Sequence, residues 1–347
     1  MIDPRPGLRD VGMYDPPQLD VKARLNTNEC PYPLPASFRE DLASAVRDLS
    51  LNRYPDREAG KLRAALARHT GQPAEGIWVA NGSNEILLQL LQAYGGPGRR
   101  VLIFEPTYAM YPRIAWAANS ELVRLPLEPP WVIRAREVFD TSKADPAMIL
   151  VCSPNNPTAN TQPEEVIAEL ASRAPALVIV DEAYIEFGGT SAAPLVRRFP
   201  NVVVVRTFSK AFALAGARIG YCLAHPQVIE DLRRVRLPYH LGALTQAAGL
   251  VALAHREDAV RILDAVREQR DRLLAELPPM GVETYPSFAN FVLFRPPRPP
   301  KLLWEDLLER DVLVRDVSEA VAGCLRVTAG TPEEVDRFLT SLEEVLA

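Results

Sequence analysis

Apolar and polar positions divide the chain into an irregular start, a long alternating middle and a helix-rich end. Residues 1–35 are polar and studded with proline ("YDPPQLD", "CPYPLP"), the pattern of an extended arm. From Ala36 apolar residues recur at helical spacing in "ASFREDLASAVRDL" and, after "NRYPD", in "AGKLRAALARHTG", where Gly71 is the stop signal. Short β-branched runs follow, separated by helix-like stretches: "IWVA" at 77–80, "VLIF" at 101–104, "MILVC" at 148–152, "LVIVD" at 177–181 and "NVVVVR" at 201–206. Strands that are apolar on both faces and alternate with helices predict a mostly parallel sheet covered on both sides, a three-layer α/β fold. Beyond about Leu241 the pattern changes to long charged helices, then to the strands "FANFVLFR" and "CLRVTAG". A last helix, "TPEEVDRFLTSLEEVLA", is opened by a Thr331–Glu334 capping box. The expected organisation is an arm over 1–35 that packs with the small domain or a partner subunit, a large domain over 36–241 and a smaller α+β domain over 242–347. The cluster "RPPRPPK" near 295–301 reads as a loop.

Composition narrows the function mainly by exclusion. The chain has 347 residues and a net charge of −5, which gives no support for a nucleic-acid or anionic-membrane partner. Four dispersed cysteines without a CxxC, and four histidines without an HxxxH, suggest neither a disulfide framework nor a metal site. "MIDPRPGLRD" lacks a basic region followed by an apolar run, and "ALTQAAGLVALA" is too short to span a bilayer, so a cytoplasmic location is expected.

The chemistry is concentrated after the strands, where ligands of open α/β sheets bind. "IWVA" is followed by "NGSNE" and a helix, so backbone N–H groups at a helix start face any anion placed there. "MILVC" is followed by "SPNNPT" with Asn155 and Asn156, "LVIV" by Asp181 with Tyr184 three residues on, and "NVVVV" by "RTFSK" with Thr207, Ser209 and Lys210. Singly, each of these could be a turn or a cap. Together they place an anion cradle, an amide, a carboxylate and a lysine at one crevice. No GxGxxG or GxxxxGK[ST] is present. One cofactor needs a phosphate site, a partner for a protonated ring nitrogen, a partner for a phenolic oxygen and an amine for an aldehyde: pyridoxal 5′-phosphate. Lys210 would form the Schiff base, with burial lowering its pKa to free the amine. Arg218, eight residues on, would join Ser209 at the phosphate.

Along nearly its whole length the sequence resembles the fold-type I pyridoxal-phosphate enzymes, and within them the histidinol-phosphate aminotransferases. The markers are "LNTNECPYPLP", "RYPD" at 53–56, "NGSNE" at 81–85, "EPTYAMY" at 105–111, "VCSPNNPT" at 151–158, "VIVDEAYIEF" at 178–187, "RTFSKAFALAGARIG" at 206–220 and "GCLRVTAGT" at 323–331. The resemblance implies transamination of L-histidinol phosphate with 2-oxoglutarate, a ping-pong reaction of histidine biosynthesis. It implies that Lys210 carries the cofactor and shuttles the proton, that Asp181 pairs with the ring nitrogen, and that Asn156 and Tyr184 hold the phenolic oxygen. Tyr108 would stack on the ring, while the backbone at Ser83 and Asn84, with Thr207, Ser209 and Arg218, would hold the phosphate. Tyr54 would reach the phosphate of a neighbouring subunit, which implies a homodimer with shared sites. Arg326 and Arg315 would take the substrate phosphate or a carboxylate, with Tyr14 and Asn290 lining the imidazole side. Two departures stand out: Ala159 replaces an expected glycine, and Cys30 replaces a commoner asparagine or tyrosine. The competing readings are an aromatic amino acid aminotransferase, a threonine-phosphate decarboxylase and a non-catalytic regulator. The regulator is disfavoured because the chain carries no added basic helix-turn-helix segment.

Overall fold

The computed structural model describes residues 2–3, 7–141 and 145–347; residues 1 and 4–6 of the expected arm lie outside the described residues. All five apolar runs form strands, and two strands not anticipated from the sequence complete the sheet. In chain order they are β1 (Ile77–Ala80), β2 (Arg100–Glu105), β3 (Glu121–Pro126), β4 (Pro146–Cys152), β5 (Leu177–Asp181), β6 (Val202–Thr207) and β7 (Gly220–Leu223). The seven-stranded order is β1-β7-β6-β5-β4-β2-β3, parallel except for β7, which runs antiparallel to both its neighbours. The unanticipated strands have physical explanations. β3 is an edge strand with charged positions and a terminal proline, so it lacks an apolar run. β7 is only four residues long and begins at a glycine.

Successive side chains on each inner strand enter different cores. Leu177 and Ile179 face one side with Trp78, Ile86 and Ile114, whereas Val178 and Val180 face the other with Val79, Ile167 and Leu170. Two-sided burial of this kind is what near-continuous Val/Ile/Leu runs encode. It also leaves the polar groups of the site only one place to gather, the edge where the parallel strands end.

Helix α1 (Ala36–Arg47) and α2 (Gly60–Thr70) precede the sheet, and α2 stops at Gly71 with φ +70°, as expected. The helix Ala243–Ala254 packs back against α1 and α2. The 21-residue helix Arg256–Glu276 then leads to a four-stranded antiparallel sheet built on Phe291–Arg295 and Leu325–Thr328. Ala23–Arg24 of the N-terminal segment pairs in parallel with Val312–Leu313, tying the start of the chain to its C-terminal part. The Thr331–Glu334 capping box is present, with the Glu334 N–H donating to Thr331 Oγ1 at 3.3 Å and the Thr331 N–H to Glu334 Oε2 at 2.8 Å. The proline cluster near 295–301 is a loop only in part. Pro300 opens the helix Pro300–Leu308, where its missing N–H costs no hydrogen bond.

Candidate active site

The anion cradle forms where β1 turns into α3 (Ser83–Tyr94). Asn81 donates to Glu85 Oε2 through its backbone N–H at 2.5 Å and through Nδ2 at 2.8 Å, which folds the turn onto the helix start. Gly82 precedes the helix at φ +81° and ψ 168°, a region open in practice to glycine alone; a Cβ there would lie 2.5 Å from Arg218 Nη2. No side chain caps α3, so its first N–H groups stay available beside the Arg218 guanidinium. β7 passes so close that a Cβ on Gly220 would sit 2.4 Å from the Ser83 nitrogen. Arg218 Nη1 donates to Ser209 Oγ at 3.2 Å, and Thr207 Oγ1 donates to Ser209 Oγ at 2.9 Å. Helix amides, two hydroxyls and a guanidinium thus face one point, a donor set suited to a phosphate.

The next strand ends supply the reactive groups. Lys210 Nζ donates to the Thr27 carbonyl at 3.1 Å and lies 5.9 Å from the centre of the Tyr184 ring. Burial, reinforced by the cations Arg326 and Arg218, lowers its pKa to about 8 against a smaller opposing effect of Glu29. Asp181, at the end of the central strand β5, is 3% exposed. Burial raises its pKa to about 6, although hydrogen bonds from Tyr111 Oη and the Ala183 N–H resist the rise. Tyr184 Oη accepts from Asn28 Nδ2 at 3.0 Å, and burial holds the phenol protonated. Tyr108 Oη donates to Asn84 Oδ1 at 3.3 Å.

The two asparagines of "SPNNPT" part company. Asn155 is structural: its Nδ2 donates to the Pro106 carbonyl and to Thr158 Oγ1, while its Oδ1 accepts from Thr107 Oγ1. Asn156 faces the cavity, where its Oδ1 accepts from Arg326 Nη1 at 2.6 Å. Ala159 does occupy the left-handed region, at φ +61°. The turn keeps the geometry expected of glycine, with the Ala159 N–H donating to the Asn155 carbonyl at 2.8 Å.

Arg326 and Arg315 lie directly opposite each other on adjacent antiparallel strands. Arg326 is 7% exposed; it donates to Asn156 and to the Asn26 carbonyl, and its Nε has no partner among the described residues. No carboxylate pairs with Arg326 among the described residues, and burial with the nearby Arg315 lowers its pKa. Two cations held cross-strand repel each other unless an anion joins them. Tyr14 lies between guanidinium groups, with Arg315 and Arg113 each 5.8 Å from its ring centre. Asn290 is not at the cavity; it is buried behind it and donates to the Asn28 carbonyl at 3.1 Å. Tyr54 is also remote from the cavity, 79% exposed and stacked on Tyr239 at 4.3 Å.

A cavity of about 350 Å³ is lined by Ser83, Asn84, Tyr108, Asn156, Asp181, Tyr184, Thr207, Ser209, Lys210, Arg218, Arg326 and Tyr14. These groups fit pyridoxal 5′-phosphate. The glycine-lined cradle suits its phosphate, the buried carboxylate its ring nitrogen, Tyr184 and Asn156 its phenolic oxygen, and the amine its aldehyde. Thr27, Asn28, Glu29, Cys152 and Ala183 also line the cavity, without having been assigned roles from the sequence. Asn28 is the most informative of them. It sits at φ +55°, a conformation asparagine tolerates, and holds Tyr184 from 156 residues away.

Residues 20–342 match the family described as aminotransferase class I and II. The chain is 47% identical to a histidinol-phosphate aminotransferase of Frankia casuarinae, over 99% of this chain and 90% of that protein. It is 45% identical to one of Thermobifida fusca, over 97% and 94%. Its fold is that of the histidinol-phosphate aminotransferase of Sinorhizobium meliloti solved in complex with pyridoxal 5′-phosphate, with a TM-score of 0.85 at 24% identity over 94% and 91% of the two chains. Matched along nearly all of its length, the chain belongs to the class I and II aminotransferase family.

Proposed function

We propose that this aminotransferase uses pyridoxal 5′-phosphate to transfer the amino group of L-histidinol phosphate to 2-oxoglutarate, giving imidazole acetol phosphate and glutamate by a ping-pong route. The observation that carries the substrate is the cross-strand pair Arg315 and Arg326, with Arg326 buried beside the cavity and lacking a carboxylate partner among the described residues. A substrate phosphate is a dianion matched by two guanidinium groups, and a 2-oxoglutarate carboxylate can take the same place in the second half-reaction. Relatives at 42–47% identity that bear the name histidinol-phosphate aminotransferase support that choice.

Pyridoxal phosphate supplies, when bound, an electron sink for the charge left when the substrate loses its α proton. The chain's own residues do the rest. Lys210 Nζ, uncharged in an appreciable fraction near neutral pH, takes that proton and returns it on the other side of the transfer. Asp181 keeps an anion opposite the ring nitrogen. Ser83, Asn84, Thr207, Ser209 and Arg218 bind the cofactor phosphate, and Tyr184 and Asn156 orient its phenolic oxygen. Tyr14 covers the substrate side. Two copies would share their sites through Tyr54, whose exposed ring is presented on Tyr239. Four free cysteines, three of them buried, fit a reducing cytoplasm.

The test is a donor panel of histidinol phosphate, phenylalanine and threonine phosphate with 2-oxoglutarate, following keto product and carbon dioxide. Histidinol phosphate is expected to have the highest kcat/KM. A higher value for phenylalanine, or carbon dioxide from threonine phosphate, would sink the assignment.

A further inference from the structure

The cofactor's expected counter-ion, Asp181, is itself held from behind. Helix α4 (Met110–Ala117) follows β2 and carries Tyr111, which is 1% exposed and does not line the cavity. Its Oη donates to Asp181 Oδ2 at 3.0 Å, while the Ala183 N–H donates to Oδ1 at 3.2 Å. These are the hydrogen bonds the Asp181 carboxylate accepts among the described residues, and no cation pairs with it there. One donor on each oxygen leaves the carboxylate a single orientation, with its remaining lone pairs free on the cavity side.

We propose that Tyr111 is a positioning residue of the transamination: its hydroxyl fixes Asp181 and keeps it ionised to receive the protonated ring nitrogen. The proposal rests on the pyridoxal-phosphate reading above. A phenylalanine would fill the same space between the sheet and α4, so packing alone does not require the oxygen, whose polar neighbours are Asp181 and the Cys152 thiol. The surroundings otherwise favour a neutral carboxyl. Cys152 on β4 and Tyr108 on the approach to α4 are uncharged neighbours, and Glu182, the next residue on the chain, is an anion turned away toward Arg206. On the cavity side stand the cations Lys210, itself discharging near neutrality, Arg218 and Arg326, with Glu29 as the other carboxylate. Burial keeps the Tyr111 phenol protonated, so it remains a donor throughout the working range.

Pyridoxamine 5′-phosphate is the suitable probe, because it binds without bonding to Lys210 and its fluorescence reports occupancy. Its Kd is measured from pH 5 to 9 for the full chain, Tyr111→Phe, Asp181→Asn and the double variant. Losing a hydrogen bond to a charged group should move the acid limb of binding upward by about 1–2 pH units. Tyr111→Phe should therefore bind roughly 3- to 25-fold more weakly at pH 6.5 and recover most of its affinity by pH 8.5. Titration of Lys210 and of the probe is common to both proteins and cancels in the comparison. In the Asp181→Asn background the Tyr111→Phe change should have no further effect on Kd. An unshifted acid limb, or a further loss in the double variant equal to that of Tyr111→Phe alone, would overturn the proposal by assigning Tyr111 to packing. Failure of the unaltered chain to bind the probe at any pH would instead defeat the cofactor reading.

Discussion

Capture of pyridoxal phosphate by the cofactor-free chain should level off near pH 8, although a free lysine continues to gain reactivity to pH 10 and above. The perturbation is pH itself, acting on Lys210. With its pKa brought from 10.5 to about 8, about one amine in ten is uncharged at pH 7. At the unperturbed value it would be about one in 3000, so burial and the nearby cations raise the reactive fraction roughly 300-fold. A less basic amine is also intrinsically a weaker nucleophile, which makes the position of the plateau the sounder measure than the rate. The assay is stopped-flow absorbance of the mixed components, with borohydride trapping and peptide mapping to confirm Lys210. Nα-acetyl-lysine under identical conditions corrects for titration of the aldehyde.

Two substitutions test the cause with opposite signs. Arg326→Gln removes a cation that disfavours the ammonium form, so the plateau should move to higher pH. Glu29→Gln removes an anion that favours the ammonium form, so it should move lower. A plateau above pH 10 in the unaltered chain, or one that neither substitution moves, would refute the view that the site's own charges and burial activate the amine.

Arg326→Met should lower kcat/KM for histidinol phosphate by roughly 30-fold or more, the usual consequence of removing one partner of a buried charged contact; steady-state kinetics decides it. Gly82→Ala must accommodate a Cβ 2.5 Å from Arg218 Nη2 at a backbone angle costing about 1–3 kcal/mol, and should weaken cofactor retention in equilibrium dialysis at least tenfold. Thr331→Ala removes a cap worth about 1 kcal/mol, seen in denaturant unfolding without a change in KM. Ala159→Gly relieves a left-handed alanine, by about 1–2 kcal/mol, but loses a buried methyl of about 0.8 kcal/mol and adds unfolded-state entropy of similar size. Its stability should stay within about 1 kcal/mol of the parent, and a loss of about 1.5 kcal/mol or more would show that the alanine is not strained.

What could be read before the structure was the part of the site written in local sequence. Each polar group at a strand end follows an apolar run that can only be an inner strand, so Asp181 and Lys210 were placed by the strands that carry them. Tyr111 and Asn28 could not be placed in this way. Both lie in quoted motifs, but their roles depend on contacts 70 and 156 residues away along the chain. Asn155 and Asn156 show the same limit at shorter range, since adjacent amides in one turn face opposite directions and only the fold says which is structural. β3 escaped notice for a different reason: an edge strand half in water does not need the apolar run that marks its neighbours.

The arginine pair bears on why several cations stand at one small cavity, which Arg326 lines and Arg315 adjoins from the neighbouring strand. Arg315 and Arg326 were visible only as two positively charged positions eleven residues apart, and the hairpin places them in register. Near them stand Lys210 and Arg218, with Asp181 and Glu29 as the carboxylates lining the same cavity. Such an arrangement is unfavourable for the chain alone: burial above all, with the neighbouring cations adding to it, disfavours the charged forms and lowers the pKa of Lys210 and of Arg326. It becomes favourable when two separate anions arrive, one at the helix start beside Arg218 and one at the arginine pair. Stability given up in the empty chain therefore reappears as selectivity for a cofactor and a substrate that both carry phosphate. A substrate that places neither a phosphate nor a carboxylate at the pair would leave the Arg326 guanidinium buried without a counter-ion, a penalty that apolar contact alone would not offset.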